Sequence, residues 1–161
     1  MIAGYAREHA IVSGWEKKYN THVVTSPQDQ VDALRALGVK RFIGVTPLAR
    51  DQSPYYAKYF TDAGFTVLGM EGLDADFNSI KSVTPDQIVA FIKVSFPKYS
   101  GTEAVYVLGS EWRSFDIVDR VVHELGIQVI SPVIAQGWDI QKRLHQRWPV
   151  RGYGWLIAEL P

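Results

Sequence analysis

The chain of 161 residues contains no cysteine. Disulfides, thiolate metal sites and cysteine nucleophiles are thereby excluded within it. Net charge is missing too: Lys plus Arg and Asp plus Glu both number 17, so no overall field draws in nucleic acid or anionic lipid. Basic residues such as Lys142-Arg143 and Arg147 form only short runs and read as a solvated helix face. The aromatic residues are scattered, not interleaved with Lys and Arg as a base-stacking platform requires. No apolar run approaches the roughly 20 residues of a membrane span, and the first residues lack a charged-then-apolar leader pattern. The expectation is a cytoplasmic chain with neither nucleic acid nor membrane as partner.

Several devices are also absent. No G-x-G-x-x-G follows a strand-like run and no G-x-x-x-x-G-K-[ST] occurs, which removes both common phosphate cradles. Gly152-Tyr153-Gly154 reads as a turn. There is no G-x-S-x-G nucleophile elbow. The histidines, His9, His22, His123 and His145, lie far apart without ligand spacing, so they read as structural or solvent-exposed. No metal and no cofactor is expected.

What is present is an ordinary globular composition, 47% hydrophobic and 21% charged, carrying one recurring rhythm. A Ser/Thr-Pro helix start leads into an amphipathic stretch, a Gly, and a short apolar run. Ser26-Pro27-Gln28-Asp29 reads as N-cap, N1 proline and acidic first turn. The helix continues through Val31, Leu34 and Leu37 to Gly38, and Arg41–Thr46 follows as a buried strand. Ser53-Pro54 opens a second unit that stops at Gly64 before a strand over Phe65–Gly69. Thr84-Pro85 opens a third, leading to a strand at Ala104–Leu108. Val118, Val121, Val122 and Leu125 form the clearest helical stripe, ended by Gly126 before Ile127–Ile130.

This alternation predicts an α/β fold: a single three-layer domain with a four-stranded, mostly parallel sheet and helices on both faces. Residues 1–20 read as a lead-in with a short helix around Val12–Tyr19, 21–132 as the α/β lobe, and 133–161 as a C-terminal helix and tail. The helix is expected over Val133–Trp148, with an added strand as one way for the tail from Gly152 to pack.

In such sheets ligands bind beyond the strand C-termini. That places Thr46-Pro47 through Ser53, Met70–Leu73, Gly109–Ser114 and Ser131-Pro132 at one end. Gly109-Ser110 sits where a strand is expected to turn directly into a helix, so backbone N–H groups and a hydroxyl would face a carboxylate or phosphate. Arg113 would add a bidentate contact, and Glu111 is a candidate acid/base. The plain alternative is that Ser110 or Ser114 is an N-cap and Arg113 a surface residue.

The strand-end segments also resemble a known family. Ala33–Arg41 leading into Val45-Thr46-Pro47, then Tyr59–Val67, Phe115–Val118, Glu124–Ser131 and Ala135–Trp138 are similar in order and spacing to the aspartate/glutamate racemase superfamily. The branch they resemble is that of maleate cis-trans isomerase and arylmalonate decarboxylase. The resemblance implies two similar lobes with the active site between them, each lobe supplying a cysteine for proton transfer next to a carboxylate. By the same resemblance, the chain starts where the first lobe would already be complete. The second cysteine's position is Gly109, and the family's Thr-Pro-Tyr is Thr46-Pro47-Leu48.

The expected function is therefore a non-catalytic or catalytically altered relative that binds a small carboxylate through Thr46, Pro47, Gly109, Ser110 and Arg113. One alternative is a cysteine-independent isomerase, racemase or decarboxylase using Glu111. A second is a ligand-free dimeric interaction module or truncated gene product. With the first lobe absent, Trp138, Trp148 and Trp155 are expected to stand uncovered, and a homodimer is expected to bury them.

Overall fold

The structure, a computed structural model, describes residues 3–48, 53–109 and 111–159. Four strands, β1 (Arg41–Thr46), β2 (Thr66–Gly72), β3 (Ala104–Val107) and β4 (Gln128–Ile130), form one sheet ordered β2-β1-β3-β4. Every neighbouring pair is parallel. Parallel neighbours need long crossovers. The helices α3 (Ser53–Asp62), α4 (Pro85–Ser95) and α5 (Val118–Leu125) supply them. Helices α1 (Tyr5–Tyr19) and α2 (Ser26–Ala36) precede the sheet, and α6 (Pro132–Arg143) and the single turn α7 (Trp155–Ala158) follow it. The expected three-layer parallel fold is what forms.

The two faces have distinct fillings. On one, α2 packs on α6 and α1 on α3; on the other, α4 meets α5. Because strand side chains alternate in direction, Phe42 and Tyr106 point to the α2/α3 face. There they meet Phe60 and Phe65 in edge-to-face contacts with centroids 4.8–6.3 Å apart. The Tyr106 hydroxyl donates to Gln30 Oε1, so this buried polar tip is satisfied. The Thr84 capping box, with the Gln87 side chain returning to the Thr84 N–H, fixes the start of α4.

Several elements differ from expectation. The N-cap of α2 is Thr25, and Ser26 is already helical. The lead-in forms a helix of 15 residues rather than a short one. Strand β2 continues past Gly69 to Gly72, so Met70–Gly72 is strand and not loop. Gly69 is needed because the Tyr99 ring lies over its face and reaches Glu71, where its hydroxyl donates to Oε1 at 2.6 Å. The last long helix ends at Arg143, and His145 follows at φ 50°. The tail adds no strand: Gly152 and Gly154 adopt φ 87° and 85°, and the chain turns into α7. Trp138 is 4% exposed, packed into the core and not uncovered.

Candidate functional site

The strand order reverses between β1 and β3, and the C-terminal end of the sheet at such a switch is the usual ligand position in this architecture. Thr46-Pro47 leaves β1 and Leu108-Gly109 leaves β3 at this point. The β1 exit is held from both sides. Leu73 N–H donates to the Thr46 carbonyl at 2.9 Å, Ala75 N–H to the Pro47 carbonyl at 3.0 Å, and Leu108 N–H to the Val45 carbonyl at 2.8 Å.

Gly109 follows β3 at this end of the sheet. Its φ of 104° lies in the region that a side chain disfavours, which explains glycine here. The position a Cβ would occupy lies 3.4 Å from Pro47 Cδ, 3.3 Å from Glu111 Oε2 and 3.5 Å from Trp112 Nε1. Two loops thus converge on one point, and a ring N–H and a carboxylate both reach it. Trp112 is 3% exposed, and its Nε1–H finds no acceptor among the described residues. A buried donor left without a partner costs about 1–3 kcal/mol. The Ser53 hydroxyl, at the start of α3 on the same end of the sheet, is likewise buried without a partner among the described residues.

The residues singled out from sequence fall into distinct places. Pro47, Gly109 and Glu111 come together. Ser110 lies outside the described residues, as do Ala49–Gln52 of the β1 loop. Thr46 is fully buried, and its Oγ1 accepts from Leu48 N–H at 3.2 Å, so it braces the loop. Arg113 is not a free cation at this end of the sheet: its guanidinium pairs with Asp116 at 2.7 Å on the surface. Nor does a helix begin at Gly109. The chain first makes a tight turn at Arg113 (φ −76°, ψ 53°), with Ser114 N–H donating to the Trp112 carbonyl at 2.7 Å. A 3-10 turn, Ser114–Ile117, then precedes α5. The helix N-terminus is therefore displaced from the site, and Ser114 is a buried turn residue and no N-cap. Glu111 is exposed, so it lacks the burial that an acid/base role was expected to draw on.

Sequence reasoning missed Trp112 because a lone aromatic in a loop carries no periodic signal. Tyr56, on α3, is half-buried. Burial, and then the Glu111 carboxylate, push its hydroxyl above the ordinary range, so it stays a protonated neutral donor at physiological pH. Among the described residues no three His, Asp or Glu side chains gather as a metal site, and no helix is long and apolar enough to cross a membrane.

These features define a parallel α/β domain whose strand order switches between β1 and β3. Within that class the chain belongs to the arylmalonate decarboxylase family, whose profile matches residues 3–157. This family lies in the Asp/Glu racemase superfamily, as the strand-end segments had suggested. A crystal structure of arylmalonate decarboxylase superposes with a TM-score of 0.88 at 20% identity, covering 97% of this chain and 71% of that one. Nocardia farcinica maleate cis-trans isomerase bound to TRIS gives 0.87 at 25% identity, covering 98% and 66%. The maleate isomerase Iso from Pseudomonas putida S16 gives 0.85 at 21%, with the same coverage. The chain spans about two thirds of the length of these relatives. No curated protein sequence matches it significantly.

The chain is a family member without cysteine, and Gly109 bears on how deep that difference runs. Its backbone conformation is itself unsuited to a side chain. Gly109→Cys should lose about 1–3 kcal/mol of stability through strain at positive φ, read as a lower urea midpoint. Unchanged stability would mean that this turn relaxes freely.

Proposed function

We propose that the chain is a non-catalytic relative of arylmalonate decarboxylase and maleate isomerase that binds a small carboxylate at the β1/β3 switch. The observation that carries this reading is the buried Trp112 Nε1–H beside Gly109, which has no partner among the described residues. A carboxylate oxygen is the natural acceptor for such a donor, and the charge-assisted bond recovers the desolvation that the free donor forfeits. Pro47 forms the opposite wall. Thr46 holds that wall in place without itself facing the ligand, and Arg113 takes no part.

The test compares thermal shifts of the native chain and Trp112→Phe, which keeps a buried ring and deletes the N–H. A carboxylate present at 100 times its Kd should stabilise the native protein by about 2.7 kcal/mol and the variant much less. Equal shifts in both would contradict the reading. Turnover by Glu111 is disfavoured by its exposure. Deuterium incorporation from solvent at the carbon beside a carboxylate, abolished in Glu111→Gln, would revive it.

A second observation concerns assembly. Ile140 on α6 and Leu144 at its C-terminal cap, one turn apart, are exposed apolar side chains. Trp148 (58% exposed) and Trp155 (60%) stand nearby in the tail, which folds back through Val150 N–H donating to the Ile157 carbonyl at 3.0 Å. About a third of the relatives' own length lies outside the part that this chain spans. A second copy, related by a two-fold axis, is the occupant we propose for this face. Sedimentation at micromolar concentration should give twice the 18.1 kDa chain mass, and Trp155→Lys should return the monomer. A monomeric native chain would contradict this part of the proposal.

A further inference from the structure

Away from the strand ends, we infer that the C-terminal cap of α6 forms a second binding site, one for a phosphate group, free or carried by a small organic molecule. A cavity of about 430 Å³ opens there, lined by Gln141, Lys142, His145, Gln146 and Arg147. Its volume falls in the range of small-molecule sites. The lining residues include two permanent cations and an imidazole but no carboxylate. From Ile140 to Ala158 the chain carries Lys142, Arg143, Arg147 and Arg151 and no acidic residue. Arg143 is engaged by Asp139. By contrast, no carboxylate among the described residues pairs with Lys142, His145 or Arg147. Lys142 Nζ lies 4.8 Å from the centre of the Trp138 ring, and Arg147 donates to the Glu159 carbonyl at 3.1 Å. Neither contact neutralises a charge.

The negative end of a helix opposes an anion, but here the turn itself takes up the last carbonyls. Leu144, His145 and Gln146 donate their N–H groups to the carbonyls of Ile140, Lys142 and Gln141, at 3.0, 3.2 and 2.9 Å. Gln141 Oε1 accepts from Trp148 N–H at 2.6 Å and holds the outgoing chain. Such a cap needs a left-handed residue, and glycine meets that need without strain. Helices α2, α3 and α5 are followed by Gly38, Gly64 and Gly126 at positive φ, and α1 by Asn20, a type that tolerates it. Helix α6 instead has His145 at φ 50°. An imidazole, a hydrogen-bond donor, thus stands where stability alone favours glycine. Lys142, His145 and Arg147 supply three donor groups, matching the three terminal oxygens of a phosphate monoester. The aliphatic stems of Lys142 and Arg147 add apolar surface on which an organic part can lie.

The experiment titrates the native chain, His145→Gly and Lys142→Gln with inorganic phosphate, glycerol 3-phosphate, glycerol and acetate. It is run at pH 7 against sodium chloride of equal ionic strength. Calorimetry gives the affinity, and the His145 imidazole resonances, assigned by their loss in His145→Gly, give the place. The phosphates should bind the native chain with a Kd on the order of 1 mM and move those resonances, whereas glycerol and acetate should leave them unmoved. Tighter binding of glycerol 3-phosphate assigns the site to an organic phosphate, and the reverse order assigns it to the free ion. His145→Gly should raise the Tm by about 2 °C while weakening phosphate about fivefold. A merely structural role for His145 would not split the two in that way. Lys142→Gln should weaken phosphate by a similar factor with the Tm unchanged. Affinity unchanged in both variants, or His145 resonances that stay unmoved at about twenty times the expected Kd, would overturn the inference. Acetate acting on those resonances as strongly as phosphate would do the same. None of these outcomes bears on the carboxylate site at the strand ends.

Discussion

Asp29→Asn should stabilise the protein above neutral pH by on the order of 4 kcal/mol, with the gain shrinking steadily as the pH falls toward 4. Asp29 sits in the first turn of α2, 5% exposed, facing Asp139 of α6, which is 2% exposed. Arg143, one turn further along α6, bonds to Asp139. Asp29 thus lies beside a second buried carboxylate, and only Asp139 of the two bonds to the partly exposed Arg143 guanidinium. Burial, then the Asp139 charge, and more weakly Asp32, push the Asp29 carboxyl up from 3.8 to about 7 against the opposing pull of Arg143. The folded state therefore holds a proton that the unfolded chain releases near 4. Stability is highest at low pH with respect to this group, falls as the pH rises from about 4 to about 7, and is flat beyond. Asparagine mimics the protonated form at every pH, so the penalty disappears. Urea denaturation of both proteins at pH 5, 6, 7 and 8 checks this. A difference that does not change with pH would mean that Asp29 is ionised throughout.

Phe60→Ala should cost about 3–5 kcal/mol, the range for emptying a large aromatic site in a packed core. Phe60 is wholly buried, and its ring meets those of Phe42, Phe65, Tyr59 and Tyr106, with the Tyr106 centroid at 4.8 Å. The rings join α3 to β1 and β3, so the loss falls on the contact that sets α3 on the sheet. The denaturation midpoint should drop with little change in slope. A loss under 1 kcal/mol would show that the neighbours collapse into the space.

The sheet was legible because its strands are near-continuous apolar runs, such as Phe42–Val45 and Ala104–Val107, the first preceded by a helix that stops at Gly38 and the second by a turn at Gly101. Those runs mark buried parallel strands whatever their order. The order itself, which creates the switch point, rests on which helix covers which face, and no local pattern encodes it. Gly69 misled because glycine usually ends a strand, whereas here it admits the Tyr99 ring. The tail misled because apolar content alone does not separate strand from helix; the paired turns at Gly152 and Gly154 decide it. At the site, Gly109 and Glu111 stood out by position at a strand end. Trp112 did not, since its burial follows from the turn at Arg113 that folds the loop back. The Asp29–Asp139 contact joins residues far apart in sequence, and each alone reads as an ordinary helix acid.

The central claim is that Trp112 offers its N–H to a carboxylate at the β1/β3 switch. The measurement that addresses it most directly is a titration of the protein with glycolate, followed through the indole N–H resonance of Trp112 assigned by its loss in Trp112→Phe. Formation of a charge-assisted hydrogen bond should move that resonance downfield, saturating at the same concentration as the thermal stabilisation. Stabilisation by glycolate with the Trp112 resonance unmoved would contradict the account.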